Sequence, residues 1–152
     1  KTYHTTGWKI GYCVAPAQLM AEVRKVHQYL TFSTSTPMQL ALADFLDAHP
    51  EHDEMLPSFY QQKRDFFNKT MSESRFTFTP SPGTYFQLMD YSAIKDVPDT
   101  EFALWLIEAA GVAAIPISVF YQTPPEDMRL VRFCFAKQAS TLSAATQNLT
   151  TL

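Results

Sequence analysis

The sequence has few cysteines, few glycines and no long apolar run. Its two cysteines, Cys13 and Cys134, lie far apart and lack a CxxC partner, which predicts two reduced, buried thiols in a cytosolic protein. With four glycines in 152 residues, no Gly-rich phosphate loop, P-loop or GxSxG elbow is present. No stretch approaches the ~20 apolar residues that a membrane span needs, and the N-terminus shows no signal-peptide pattern.

Positive charge is also scarce and is not clustered. Twelve Lys and Arg stand against 15 Asp and Glu, for a net charge of −3. Without a basic run, the chain is a poor candidate for binding nucleic acid or an anionic membrane. The remaining composition, 46% hydrophobic and 18% charged, is typical of a globular protein of about one domain.

The spacing of apolar residues predicts an alternation of helices and short strands. Helices are expected over 17–30, 36–49, 54–73, 99–110 and 140–152. Strands are expected over 8–14, 75–79, 84–90, 112–115 and 129–135, with the second and third joined as a hairpin through a Ser-Pro-Gly turn.

Several residues are predicted to begin or end these helices. Thr36 and Gln39 have the spacing of a capping box at the start of the second helix. Asp99 or Thr100 is expected to cap the fourth helix, and Gly111 to close it.

The order of elements predicts an α/β chain with an α+β second part. Residues 53–152 are expected to form a small domain in which helices cover one face of a small mixed sheet. Residues 1–52 hold a strand and two helices that form no closed unit with the rest by any obvious pairing.

Arg132 is the most informative charge, because it lies within the otherwise apolar strand Leu-Val-Arg-Phe-Cys-Phe. Strand alternation places it on the face opposite Val131 and Phe133. A guanidinium there needs an anion, since burying it unpaired is costly. One interpretation is a structural ion pair with Asp or Glu, which the spacing alone favours slightly. The other is a fork that grips a substrate carboxylate.

Lysine and histidine give weaker signals. Lys1 and Lys9 flank a Thr-rich segment, and a lysine amine is the nucleophile of Schiff-base chemistry, but spacing alone favours solvated surface lysines. His49 and His52 are three residues apart without further ligands nearby, so no metal site is predicted.

Four segments together resemble the fold-type I, class I aminotransferases, which use pyridoxal 5'-phosphate (PLP). They occur in the family's order: KTYHTTGWKIG from Lys1, GTYF from Gly83, GVAAIPISVF from Gly111 and RLVRFCFAK from Arg129. The resemblance spans essentially the whole chain and is greatest to the methionine and kynurenine (glutamine transaminase K-like) aminotransferases. It implies the C-terminal part of the PLP-dependent transferase fold, with a remnant of the large PLP domain in residues 1–52 and the small domain in 53–152.

The resemblance also implies roles for individual residues. Lys1 matches the lysine that forms the Schiff base with PLP and then moves a proton at the substrate Cα, and Lys9 matches the residue that contacts the cofactor phosphate. Arg132 matches the arginine that holds the substrate α-carboxylate. Phe32 matches an aromatic that reaches into the partner subunit's pocket. Tyr85 and Phe120 fall in segments near the mouth of the active site.

Family members run to about 400 residues, whereas this sequence opens at Lys1 and has no initial Met. The resemblance therefore implies a C-terminal piece of a longer enzyme, or a processed chain, that is inactive on its own. The parent would be a cytoplasmic homodimer that moves an amino group from a hydrophobic, aromatic or sulfur-containing L-amino acid to a 2-oxo acid.

Two alternatives to this interpretation remain open. PLP-dependent C–S lyases of similar fold share the lysine and the arginine but eliminate at Cβ. The chain is alternatively a non-catalytic α+β module that binds partners or dimerises.

Overall fold

The computed structural model describes residues 2–152, so Lys1 lies outside the described residues. The chain divides into two compact units, Lys1–Leu56 and Pro57–Leu152. The assignment of the first part to a large PLP domain stays a prediction.

The first unit is helical. A 3₁₀ turn over Thr6–Trp8 is followed by α1 (Ala17–Leu30), α2 (Thr36–Ala48) and the start of α3 (His52–Met71). The predicted bounds of α1 are confirmed. None of the described residues 2–56 is buried. The prediction of two buried thiols is therefore wrong, because Cys13 is exposed and Cys134 is only partly buried.

The predicted strand over residues 8–14 is wrong. Lys9 has a left-handed backbone with φ of 54°, which breaks an extended conformation at its start. Residues 9–16 contain no regular element and pair with no strand in the described part of the chain.

The predicted capping box of α2 is also wrong. Thr36 is the first helical residue and Ser35 occupies the N-cap position. The Gln39 side chain donates to the carbonyl of Thr34 at 3.0 Å, upstream of the expected partner.

The second unit is built on a three-stranded antiparallel sheet. Its elements after α3 are β1 (Phe86–Asp90), α4 (Asp99–Ala110), β2 (Ile115–Pro116), β3 (Leu130–Cys134) and α5 (Ala139–Leu149). The strand order is β1-β3-β2, so β3 lies in the centre. This arrangement of helices and a small sheet confirms the predicted α+β character. The sheet was predicted to be mixed, but both of its described strand pairs are antiparallel.

The described hydrophobic core lies in this second unit. It joins the last turns of α3, the inner faces of α4 and α5, and one face of the sheet. Its largest fully buried side chains include Tyr91, Phe102 and Phe135. The predicted alternation of β3 is confirmed, because Val131 and Phe133 are buried and Arg132 is not.

The predicted hairpin between residues 75–79 and 84–90 is wrong in its pairing. Only Thr77 bridges to Asp90, and β1 pairs along its length with β3. The buried Gln87 side chain takes the place of a ladder, because it accepts from the Ser81 N–H at 3.0 Å and donates to the Thr79 carbonyl at 2.9 Å.

The fourth helix ends as predicted but begins differently. Gly111 closes α4 in a left-handed conformation with φ of 66°. Pro98 is the N-cap, so neither Asp99 nor Thr100 caps the helix, and the Asp99 carboxylate instead bonds to Ser118. No helix described in residues 2–152 is long and apolar enough to cross a membrane.

Candidate functional site

The segment that follows Lys1 forms a tight turn around Lys9. Backbone bonds run from Trp8 N–H to the Thr5 carbonyl at 2.9 Å and from Lys9 N–H to the Thr6 carbonyl at 3.4 Å. The segment is also held at its start, because a ring nitrogen of His52 bonds to the Thr2 carbonyl at 2.8 Å. The residue after Lys1 is thereby tied to the first turn of α3.

Lys9 borders a cavity of about 790 Å³ in the first unit. Three threonines, Thr2, Thr5 and Thr6, line the same cavity, and no acidic residue is among its described lining residues. Hydroxyl donors around one ammonium group are a set suited to an anion. The donor chemistry of this cavity therefore fits a phosphate group.

Arg132 lies in the second unit, on the less buried face of the sheet. It stands in the cross-strand row Leu88–Arg132–Ile115, so its strand neighbours on this face are apolar. The guanidinium carbon lies 4.0 Å from the centre of the Phe86 ring and 5.0 Å from that of Phe120. Cation–π contacts of this kind orient the guanidinium plane without neutralising it.

Arg132 has no acidic partner within residues 2–152, which contradicts the structural ion pair that its spacing favoured. Its buried Nε lacks any hydrogen-bond acceptor among the described residues. The same side chain lines an apolar-walled cavity of about 380 Å³. An arginine left unpaired beside open space is chemically ready to bind a carboxylate.

The neighbouring arginine shows the contrast. Arg129 donates to Asp96 Oδ1 from Nε at 2.9 Å, and its Nη2 forms an ion pair with the same oxygen at 2.8 Å. The hydrogen bond that Arg129 donates to Asp96 is the largest cause of the raised pKa of Arg129. Of these two arginines, therefore, Arg132 is the one available to a ligand.

Strained backbone coincides with the predicted site residues. Within residues 2–152 the non-glycine residues at positive φ are His4, Lys9, Phe32 and Thr84. Lys9 and Phe32 are predicted site residues, and Thr84 precedes a third, Tyr85. Such conformations cost about 1–3 kcal/mol and concentrate at functional sites.

The remaining predicted residues are placed as follows. Phe32 is 83% exposed in the turn between α1 and α2. Tyr85 is half-buried, with its ring 5.7 Å from that of Tyr60 and 4.5 Å from that of Phe86. The structure thus brings Arg132 and Phe120 into contact. Tyr85 contacts the ring of Phe86, which in turn contacts Arg132. The role of Lys1 stays a prediction, since that residue lies outside the described part.

Sequence reasoning missed Phe86, the ring closest to the guanidinium of Arg132. The signal was present in the alternation of β1, which places Phe86 and Leu88 on one face. Recognising it required the β1–β3 register, which pairs Leu88 with Arg132.

Comparison with known proteins identifies the family of this chain. The family model described as aminotransferase class I and II matches residues 1–149. The chain belongs to the class I and II aminotransferase family. This family uses PLP, and the resemblance inferred from the four segments is confirmed.

Individual relatives refine the comparison. The chain is 59% identical over 149 residues to the methionine aminotransferase of Escherichia coli, and the match covers 98% of this chain and 38% of that protein. It is 32% identical over 173 residues to human kynurenine–oxoglutarate transaminase 1, covering 98% and 40%. Both groups named by the resemblance are therefore among its relatives.

The fold comparison gives the same result. The crystal structure of YbdL from E. coli, identified as a methionine aminotransferase, superposes with a TM-score of 0.93 at 58% identity and covers 99% of this chain and 40% of that one. For N-succinyldiaminopimelate aminotransferase of Mycobacterium tuberculosis the TM-score is 0.89 at 37% identity, with 99% and 39% covered. The chain spans about two fifths of the length of the relatives that it matches.

Proposed function

We propose that the protein containing this chain is a PLP-dependent aminotransferase acting on methionine-like L-amino acids and 2-oxo acids. The observation that carries the proposal is the unpaired guanidinium of Arg132, held against two aromatic rings on an apolar sheet face. The family match and the methionine aminotransferase relative support it.

Arg132 would bind the substrate α-carboxylate. Its planar fork offers two parallel N–H donors to a carboxylate. The apolar neighbours Leu88 and Ile115 leave no competing acid in the cross-strand row. They also favour an amino acid with an apolar or sulfur-containing side chain over an acidic one, because burying a second charge there is costly.

The residues near the chain start would hold the cofactor. Lys9, Thr5 and Thr6 line one cavity, and an ammonium group with hydroxyl donors suits the cofactor phosphate. Lys1 would carry it on the ε-amine and move a proton at the substrate Cα, as lysine can be both nucleophile and base. When bound, PLP supplies the electron sink for charge that develops at that carbon.

We further propose that the parent protein is a cytoplasmic homodimer. Phe32 supports the dimer, since an exposed phenyl ring on a strained turn is suited to a contact with a partner subunit. Two unpaired cysteines support a reducing compartment.

An activity assay on the full-length protein tests the reaction. L-methionine with a 2-oxo acid acceptor should give the matching keto acid, and product formation should stop when the acceptor is left out. Release of ammonia and pyruvate from a sulfur amino acid without an acceptor would instead identify a C–S lyase. No turnover of either kind, in a protein that binds PLP, would contradict the proposal.

Borohydride reduction of the full-length protein tests the role of Lys1. Peptide mapping by mass should find the reduced PLP adduct on the Lys1 ε-amine. Lys9 and the exposed Lys25, which pairs with Glu22 at 2.6 Å, serve as reference lysines in the same digest. Equal labelling of all three lysines would contradict the assignment of Lys1.

A further inference from the structure

Asp99 is a buried acid whose carboxylate binds a single distant residue. It is the first residue of α4 and is 3% exposed. Its Oδ2 accepts from the Ser118 N–H at 2.7 Å and its Oδ1 accepts from the Ser118 hydroxyl at 2.6 Å. A buried carboxylate is tolerated only when it is hydrogen-bonded, so this contact is strongly favoured. It fixes Ser118 to the start of α4.

Ser118 begins the short 3₁₀ turn that carries Phe120. The turn is closed by bonds from Phe120 N–H to the Ile117 carbonyl at 3.1 Å and from Tyr121 N–H to the Ser118 carbonyl at 3.0 Å. Phe120 itself is 60% exposed, so little packing fixes its ring. The position of the ring therefore depends on where the turn is held.

The Phe120 ring is one of the two rings that contact the Arg132 guanidinium. Phe86 is fixed by the β1–β3 ladder, whereas Phe120 is held through Ser118. Arg132 has no ion pair in residues 2–152 that would orient it instead. The orientation of Arg132 thus depends on Phe120 as well as on Phe86, and the position of Phe120 depends on Asp99.

We propose that Asp99 is a positioning residue for substrate binding, which acts through Ser118 and Phe120 to align Arg132 with the substrate α-carboxylate. The inference rests on the proposed role of Arg132. Asp99 touches neither substrate nor cofactor in this scheme. Its effect is confined to how well the guanidinium is oriented before the substrate arrives.

The test measures kcat and KM of the full-length holoenzyme with L-methionine. Asp99→Ala should raise KM about fivefold, the loss of one partly exposed cation–π contact, with kcat nearly unchanged. Asp99→Asn should restore KM to near the wild-type value, because its amide oxygen can accept the Ser118 N–H while its amide nitrogen donates to the Ser118 hydroxyl. Glu101→Ala, an exposed acid in the same helical turn, is the matched control and should leave both constants unchanged.

A double-mutant cycle tests the route through Phe120. Phe120→Ala should raise KM as much as Asp99→Ala does, and the double variant should show no further rise. Additive effects would overturn the proposed route. A lower melting temperature of Asp99→Ala with an unchanged KM would show a structural role only. If Asp99→Ala does not fold, Ser118→Ala decides in its place. It loses the hydroxyl bond to Oδ1 but keeps the backbone N–H bond to Oδ2, so it should raise KM, although less than Phe120→Ala does, and an unchanged KM would overturn the proposal.

Arg132→Ala separates this inference from the function on which it rests. If that variant keeps the wild-type KM, the proposed carboxylate site itself is wrong. If it loses substrate binding while Asp99→Ala, Ser118→Ala and Phe120→Ala all keep the wild-type KM, only the role of Asp99 is overturned.

Discussion

At the scale of single residues, the guanidinium of Arg132 is held by two aromatic rings rather than by a carboxylate. A lysine at this position keeps the charge but loses the planar fork that pairs with a carboxylate. We expect Arg132→Lys to lower kcat/KM for L-methionine by about 10- to 100-fold, since a fork to a charged partner is worth roughly 1.5–3 kcal/mol.

The matched control for this change lies three residues away. Arg129 is already committed to Asp96, so Arg129→Lys should leave kcat/KM close to the wild-type value. Steady-state kinetics on the full-length protein compare the two variants. A larger loss in Arg129→Lys than in Arg132→Lys would contradict the assignment.

Tyr91 predicts an alkaline limit to stability. Burial, followed by the charge of Asp99, raises its pKa from 10.0 to about 12. Above pH ~10 the unfolded chain releases this proton while the folded chain retains it, so stability falls as pH rises towards 12. We therefore expect the melting temperature to fall less steeply over this range in Tyr91→Phe than in the wild type.

Circular dichroism melts at a series of pH values measure that slope. Tyr91→Phe also loses the hydrogen bond from its hydroxyl to the Val97 carbonyl, at 2.9 Å, which costs about 1 kcal/mol at neutral pH. The exposed Tyr29 provides the matched control, because Tyr29→Phe should keep the wild-type slope. Equal slopes in wild type and Tyr91→Phe would show that the Tyr91 hydroxyl does not set the alkaline limit.

At the scale of elements, the Gln87 side chain links β1 to the segment before it. Three hydrogen bonds join it to Ser81, Thr79 and Leu88. Gln87→Leu leaves the Ser81 N–H and the Thr79 carbonyl unpaired, which costs about 1–3 kcal/mol. Native-state hydrogen exchange of the β1 amides should report that loss, and the exposed Gln61→Leu should not change it. Equal protection in the two variants would contradict a role for this side chain.

Helices are predicted from this sequence more accurately than strands. The bounds of α1 follow from apolar spacing alone, because helical contacts are local. The predicted strands at 8–14 and 75–79 have the right residue types, but a strand exists only where a partner lies beside it. Left-handed Lys9 prevents one, and the Gln87 side chain replaces the ladder of the other.

At the candidate site, too, local features are predicted from the sequence and contacts between distant residues are not. Alternation placed Arg132 on the correct strand face, because that pattern lies within one element. Phe86 lies 46 residues before Arg132 and reaches it through the β1–β3 register. Asp99 lies 33 residues before Arg132 and acts on it through the buried hydrogen bond to Ser118. Contacts between residues so far apart in the chain leave no pattern in the local sequence. The aromatic contacts of Arg132 are therefore found only from the three-dimensional fold.

At the scale of the whole molecule, burial is divided unequally between the two units. The described buried apolar side chains all lie between Phe67 and Leu149, and none lies in residues 2–56. A domain of about 100 residues with one closed core is large enough to fold alone. We expect residues 52–152, which keep α3 whole, to unfold cooperatively on heating and to show the near-UV circular dichroism of packed aromatic rings.

Residues 1–51 provide the comparison, since helices without a buried face are marginal in water. We expect that shorter chain to show neither a cooperative transition nor a near-UV signal. Tyr91 and Phe102, whose rings stack at 3.8 Å in the core, are the reporters for residues 52–152. Absence of a near-UV signal from residues 52–152 would mean that the second unit needs the first in order to pack. In that case the contacts that frame Arg132 would also depend on the rest of the chain.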